Sequence, residues 1–166
     1  MGREVRMVPP DWKHPETPSG DYVPLHDGYS RALEEREQWR KGFIRDYATD
    51  GFKPKEAHDL TYTEEDYFGS PVRAEDYMPE WSPGVATHYM MYETCTEGTP
   101  ISPAFATPEE LARWLADNEA SAFGGMTASY EGWLRTIKSK HGAVGMVMHL
   151  KEGEPPTMTP GVEFAK

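Results

Sequence analysis

The chain has 166 residues, a formal net charge of −11, a hydrophobic fraction of 37%, and five Trp, nine Tyr and six Phe. That charge opposes nucleic-acid phosphate and anionic membrane alike, so neither is expected as a direct partner. The start MGREVRMVPPDW has no apolar run of a secretory signal, no window approaches ~18 consecutive apolar residues, and a lone Cys95 leaves neither an internal disulfide nor a multi-cysteine zinc site. The length suits a single domain over 1–166 that buries roughly 68–70% of its unfolded surface. Fifteen Pro and fifteen Gly place much of it in turns. The expected class is α+β: a small sheet of about three short strands packed by three helices, with long Pro/Gly-rich loops.

Taken in order, Arg3-Glu4-Val5-Arg6-Met7-Val8 alternates charged and apolar residues before Pro9-Pro10, which predicts a short strand at a sheet edge. Residues 11–27 form a loop in which Trp12 folds back as an anchor. A helix is predicted from about Ser30 to Tyr47, with Tyr29, Ala32, Leu33, Trp39, Phe43, Ile44 and Tyr47 on one stripe. Arg36 and Arg40 fall inside that stripe. Their stems cover apolar surface while their heads reach carboxylates at its edge; the sharper alternative is a pair that grips an anion.

Regular periodicity is lost over 48–82, an acidic, Tyr-rich region. In the window 56–80, Glu56, Asp59, Glu64, Glu65, Asp66, Glu75, Asp76 and Glu80 face only Arg73, eight acids against one base and a window charge of −7. Tyr62, Tyr67, Phe68, Tyr77 and Trp81 are interleaved with them, and aromatics at that density argue against full disorder. Thr63-Glu64-Glu65-Asp66 and Ser70-Pro71 can each cap one helical turn.

THYMMYET over 87–94 alternates as a strand. The strongest signals follow. Thr107-Pro108-Glu109-Glu110 is a complete helix start, with a capping threonine, proline at the first helical position and a glutamate placed to reach back. Leu111, Trp114 and Leu115 then make one face apolar. Ala122-Phe123-Gly124-Gly125 is the turn to a second helix, capped by Thr127 or Ser129, carrying Tyr130, Trp133, Leu134 and Ile137, and stopped by Gly142. This helical hairpin, 107–142, is the expected core nucleus. Ala143 to Leu150 reads as a third strand beside 87–94, and the tail 151–166 as loose.

Catalytic motifs are few. The six histidines show neither H-x-x-x-H nor E-x-x-H spacing, leaving only a spatial assembly of His58, His88 and acids for a metal, so no metal and no cofactor is expected. His88 and His149 lie on proposed strands that could meet. Cys95 sits among acids that raise its pKa, which suits a structural thiol. Gly124-Gly125 leading into a helix could present N–H groups to an anion, with Arg36 or Arg40; a tight turn explains the same glycines.

Arg3-Glu4-Val5-Arg6 with Val8-Pro9 and Trp12-Lys13-His14-Pro15 resembles the opening of a small acidic protein family of tailed bacteriophages and prophages. Asp76-Tyr77-Met78-Pro79, Glu97-Gly98-Thr99-Pro100-Ile101-Ser102-Pro103, the stretch from Thr107 to Ala116 and Tyr130-Glu131-Gly132-Trp133-Leu134 fit the same picture. The resemblance spans nearly the whole chain, carries no catalytic residue, and implies an accessory phage product in the cytoplasm of an infected bacterium.

The expected function is therefore a non-enzymatic interaction protein. Its partner would be a basic surface of a host protein, in a nucleic-acid-handling defence complex such as a CRISPR effector. Glu64, Glu65, Asp66, Tyr67, Glu75, Asp76, Tyr77 and Glu80 are the expected contact residues. Two alternatives stand beside it: a small enzyme or nucleotide-binding module with its pocket between sheet and helical hairpin, and a minor virion or assembly component.

Overall fold

A computed structural model describes residues 2–94, 98–139, 143–144, 146–151 and 154–164. The fold is α+β. Where length alone suggests one domain, contacts divide the chain into two compact units, Met1–Pro24 with Trp81–Lys166, and Leu25–Glu80.

The first unit is built on β1 (Gly2–Val8) and β4 (His88–Glu93), antiparallel from Arg3↔Glu93 to Val8↔His88. With β5 (Thr99–Pro100) and β6 (Ala143–Val144) the sheet order is β5-β4-β1-β6. β1 is thus flanked on both sides, not an edge strand. Pro9 and Pro10 lie past its last paired residue, so they end the ladder without interrupting it. The stretch 143–150 does not lie beside 87–94 as one strand: β6 pairs with β1, and β7 (Met146–His149) pairs with β8 (Thr157–Pro160) in a separate two-stranded sheet.

The expected helical hairpin is present as α3 (Pro108–Asp117) and α4 (Tyr130–Ser139). Thr107 Oγ1 accepts from Glu110 N–H at 3.2 Å and Glu110 Oε2 accepts from Thr107 N–H at 3.1 Å, the full capping box. Ser129, not Thr127, caps α4, its Oγ accepting from Gly132 N–H at 3.1 Å. Between them Phe123 and Met126 close a bridge whose two inner residues, Gly124 and Gly125, have φ of 52° and 87°. A two-residue turn of that hand needs positive φ at both positions, which glycine adopts without a Cβ penalty. Leu111, Ala112, Leu115, Trp133 and Ile137 from the hairpin, Met91 of β4 and Ala122 form the core.

Val162 joins them, almost fully buried, so the tail expected to be loose is anchored in the core at this residue. It follows β8 in the 3₁₀ turn Gly161–Phe164, and the neighbouring Glu163 carboxylate caps α4, accepting from Ser129 N–H and, at 2.8 Å, from Ser129 Oγ–H. Gly132 makes room for it, because a Cβ there would lie 2.6 Å from Glu163 Oε2. Cys95, His141 and Gly142 lie outside the described residues.

In the second unit, α1 (Tyr29–Arg40) stops seven residues short of Tyr47. Gly42, at φ 92°, turns the chain out of the helix, and Phe43, Ile44 and the residues up to Asp46 form β2 (Phe43–Asp46), paired with β3 (Gly51–Pro54). After the 3₁₀ turn Asp59–Thr61 comes α2 (Glu64–Phe68), and after it the 3₁₀ turn Ala74–Asp76. Thr63 and Asp66 form a second reciprocal capping box, the bonds 3.0 and 3.1 Å long. Ser70-Pro71 starts no helix. Among the described residues no helix is long and apolar enough to cross a membrane.

Candidate functional site

Most of the expected acidic contact residues serve the architecture of the Leu25–Glu80 unit. Glu64 receives Arg40 through Nε and Nη2, both at 2.7 Å, and lies 3.3 Å from Arg36 Nη1. Hydrogen bonding from Arg40 holds the Glu64 carboxyl below its usual range, with Arg36 adding to the effect. Arg36 is buried, its guanidinium over the Phe68 ring at 5.0 Å and bonded to the Ser70 carbonyl. The two arginines behave as their positions on the stripe predicted: stems on apolar surface, heads on a carboxylate. Already engaged, they are not a free anion grip.

Asp66 caps α2, and hydrogen bonds from Thr63 depress its pKa. Asp76 takes a two-pronged bond from Arg73 at 2.6 and 2.8 Å, with Glu75 3.6 Å from the same side chain. Glu80 accepts from Ser30 N–H at 2.7 Å and from its hydroxyl, satisfying a donor in the first turn of α1 that has no acidic residue of its own. Tyr77 packs on Tyr29 at 5.5 Å and on His26 at 5.3 Å. Among the described residues Glu65 alone of the expected carboxylates has no hydrogen bond or ion pair, and it is exposed.

What the fold leaves outward is aromatic. Tyr67 stacks on Trp39 with centroids 4.2 Å apart and meets Tyr62 edge-on at 6.5 Å. His58 meets Tyr62 edge-on at 5.3 Å. Burial raises the Tyr67 phenol pKa, and the charges of Tyr47, Asp59 and Glu35 add to the rise. Tyr47 is 86% exposed and Leu60 69%, with Tyr62 and Tyr67 each at 42%. Lys55 caps the Trp39 ring at 3.3 Å. The result is a tyrosine patch built on the Tyr62–Tyr67 contact, with Tyr47, Asp59 and Glu35 acting on Tyr67 electrostatically and Glu65 exposed two residues before it in the chain. Tyr67 and Glu65 are among the contact residues expected from the sequence; Tyr47, assigned there to the helix stripe, and Tyr62, named there only as interleaved with the acids, are not.

The first unit carries a different arrangement. His14, almost fully buried, has Nε2 2.6 Å from the Val23 carbonyl, which can only accept, so Nε2 bears the proton. Burial, reinforced by Arg6, lowers its pKa and keeps it neutral, so Nδ1 accepts from the Tyr92 hydroxyl 3.3 Å away. Tyr92 in turn accepts from Trp12 Nε1–H at 3.2 Å, and burial pushes its pKa up to about 12. Trp12 is the anchor its sequence position suggested, edge-on to Trp81 at 5.1 Å.

Gly124 and Gly125 belong to this unit and form the tight turn, with Ser129 and not the glycines at the start of α4. Arg36 and Arg40 belong to the other unit. His88 and His149 lie in different sheets. Among the described residues no three His, Cys, Asp or Glu side chains are placed to share a metal ion. Compared with known proteins, the chain matches no family model, no curated protein and no solved structure.

Proposed function

We propose that this chain is a non-enzymatic interaction protein whose Leu25–Glu80 unit docks on a basic protein surface through Tyr47, Tyr62 and Tyr67 and the carboxylates around them. The observation that carries the reading is the exposed Tyr62–Tyr67 ring pair, with the still more exposed Tyr47 in the same unit. Tyrosines supply large, rigid contact area at low entropy cost, and exposed groups of them mark interaction surfaces. The unit has fourteen Asp and Glu against eight Lys and Arg, a charge of −6, which selects a basic partner and speeds encounter.

The paired carboxylates Glu64, Asp66, Asp76 and Glu80 supply the frame and long-range field, while Glu65 is free to make a direct ion pair. The phage-like motifs supply the context: a host protein in the bacterial cytoplasm, within a nucleic-acid-handling defence complex, whose function requires basic surfaces.

The test is capture of host proteins at several salt concentrations, by the wild-type chain and by Tyr47→Ala, Tyr62→Ala and Glu65→Gln variants. A specific partner should be retained at low salt and released as ionic strength rises, and each variant should weaken it by about tenfold. A partner captured equally by all the variants, or none at low salt, would overturn the proposal.

A further inference from the structure

The first unit holds an open cleft of about 690 Å³ between the loop 9–24, β4, the segment 100–104 and α3. Its lining includes the rings of Trp12, His14, Tyr22 and Trp114 together with three prolines. The size suits a bound ligand, since such sites run to ~300–1,000 Å³ and are mostly apolar with a few polar groups.

Which ligand follows from the hydrogen bonds still open. Trp12 Nε1 is engaged by Tyr92, and both His14 nitrogens are engaged. Ser102 Oγ accepts from Met91 N–H at 2.9 Å and donates to the Pro103 carbonyl at 2.9 Å. The lining side chains without a hydrogen bond or ion pair among the described residues are Lys13, Tyr22, Trp114 and Glu16. Three of these groups, an ammonium, a phenol and an indole N–H, donate; one carboxylate only accepts. The side-chain groups left open in the cleft are therefore mostly donors, set among flat apolar faces.

A polyproline II segment has the complementary chemistry. Each proline offers a carbonyl and a flat apolar ring and has no N–H to satisfy, and the conformation leaves those carbonyls outward. Aromatic-lined grooves take such segments at low ordering cost, because the helix is preformed. Glu16 adds a place for a basic residue beside the prolines.

We infer that this cleft binds a proline-rich segment in the polyproline II conformation, with its prolines against Trp12, Tyr22 and Trp114 and a flanking Arg or Lys at Glu16. The inference concerns the first unit and is independent of the tyrosine patch on the second.

The experiment follows the indole N–H resonances of the full chain, assigned by single Trp→Phe variants. Probes are a blocked oligoproline of about eight residues, the same peptide with a terminal Arg, and a Gly/Ser peptide of equal length. The proline peptides should shift Trp114 and Trp12 saturably, the Gly/Ser peptide should not, and the Arg-bearing peptide should bind the tighter. Tyr22→Ala should weaken binding by about fivefold or more, and Glu16→Gln should abolish the preference for Arg. Trp114→Phe, which keeps a ring and loses the donor, should also weaken it while the thermal midpoint checks folding. No saturable shift, an equal response to the Gly/Ser peptide, or shifts confined to Trp39 would overturn the assignment.

Discussion

Replacing Gly132 with alanine should have opposite effects on stability depending on what occupies position 163. In a helix, Gly→Ala is ordinarily stabilising by about 0.8–1.0 kcal/mol. Here the added Cβ would sit 2.6 Å from Glu163 Oε2 and 2.9 Å from Cδ, closer than side chains tolerate. Relief is available, because the carboxylate ends a flexible side chain. Moving it, however, abandons both bonds to Ser129 and the position at the N-terminus of α4. A cap of that kind contributes about 1–2 kcal/mol. Gly132→Ala alone should therefore be neutral to destabilising by about 1 kcal/mol, the propensity gain being offset by the lost cap. In a Glu163→Ala background nothing remains to displace, and the same substitution should stabilise by about 1 kcal/mol. Urea unfolding of the four proteins gives the coupling energy directly, expected at about 1–2 kcal/mol. Equal stabilisation by Gly132→Ala in both backgrounds would refute the close approach of the tail to α4.

Other predictions rest on the same kind of contact. His14 is buried neutral with its pKa below 6.5. The unfolded chain then takes up the proton first, so stability present above about pH 6.5 should decline as the pH falls toward the folded pKa. His14→Gln, which keeps a donor toward Val23, should flatten this decline relative to wild type in urea midpoints measured across that range. Glu64 has a depressed pKa, so its contribution is present above its ordinary value of 4.5 and lost as pH falls through the folded pKa. Glu64→Gln should lower the neutral-pH midpoint and remove that acid limb. Trp133 Nε1 is buried with no partner among the described residues. Trp133→Phe removes this unsatisfied donor, recovering about 1–3 kcal/mol against the loss of packing, and should be far milder than the ~3–5 kcal/mol expected of Trp133→Ala in chemical denaturation.

Features dictated by neighbours in the chain were legible in the sequence. Thr107-Pro108-Glu109-Glu110 and Thr63-Glu64-Glu65-Asp66 both fold as capping boxes, because threonine and acid three residues apart satisfy each other whatever surrounds them. The alternation over His88–Glu93 reports a strand for the same local reason. The helix after Ser30 was read too long because Phe43, Ile44 and Tyr47 continue the apolar stripe. The signals against it were Gly42 and Asp50-Gly51, a glycine stop and a turn dipeptide around a short β-hairpin.

Non-local pairing was harder to read. The window 56–80 sums to −7 only because Arg36, Arg40, Lys53 and Lys55 lie outside it; the fold brings Arg36 and Arg40 onto Glu64, while Lys53 meets Glu56 only three residues on. The excess that looked like a docking surface is partly an internal ion-pair network. The tail shows no periodicity, so nothing in it announces that Val162 fills the core or that Glu163 caps a helix. Of the proposed patch, Tyr67 and Glu65 fall in the acidic, Tyr-rich stretch that composition marks out. Tyr62 emerges only once it is seen edge-on to Tyr67, itself stacked on Trp39, and Tyr47 only from its exposure.

The proposed function makes the tyrosine patch of the Leu25–Glu80 unit a docking surface for a basic protein. Its most direct measurement is hydrogen exchange on the captured complex, comparing bound with free chain. The account predicts protection around Tyr47 and over 58–68, lost in parallel with affinity in the Tyr47→Ala and Glu65→Gln variants. Protection confined to other segments, with that stretch exchanging as in the free protein, would contradict it.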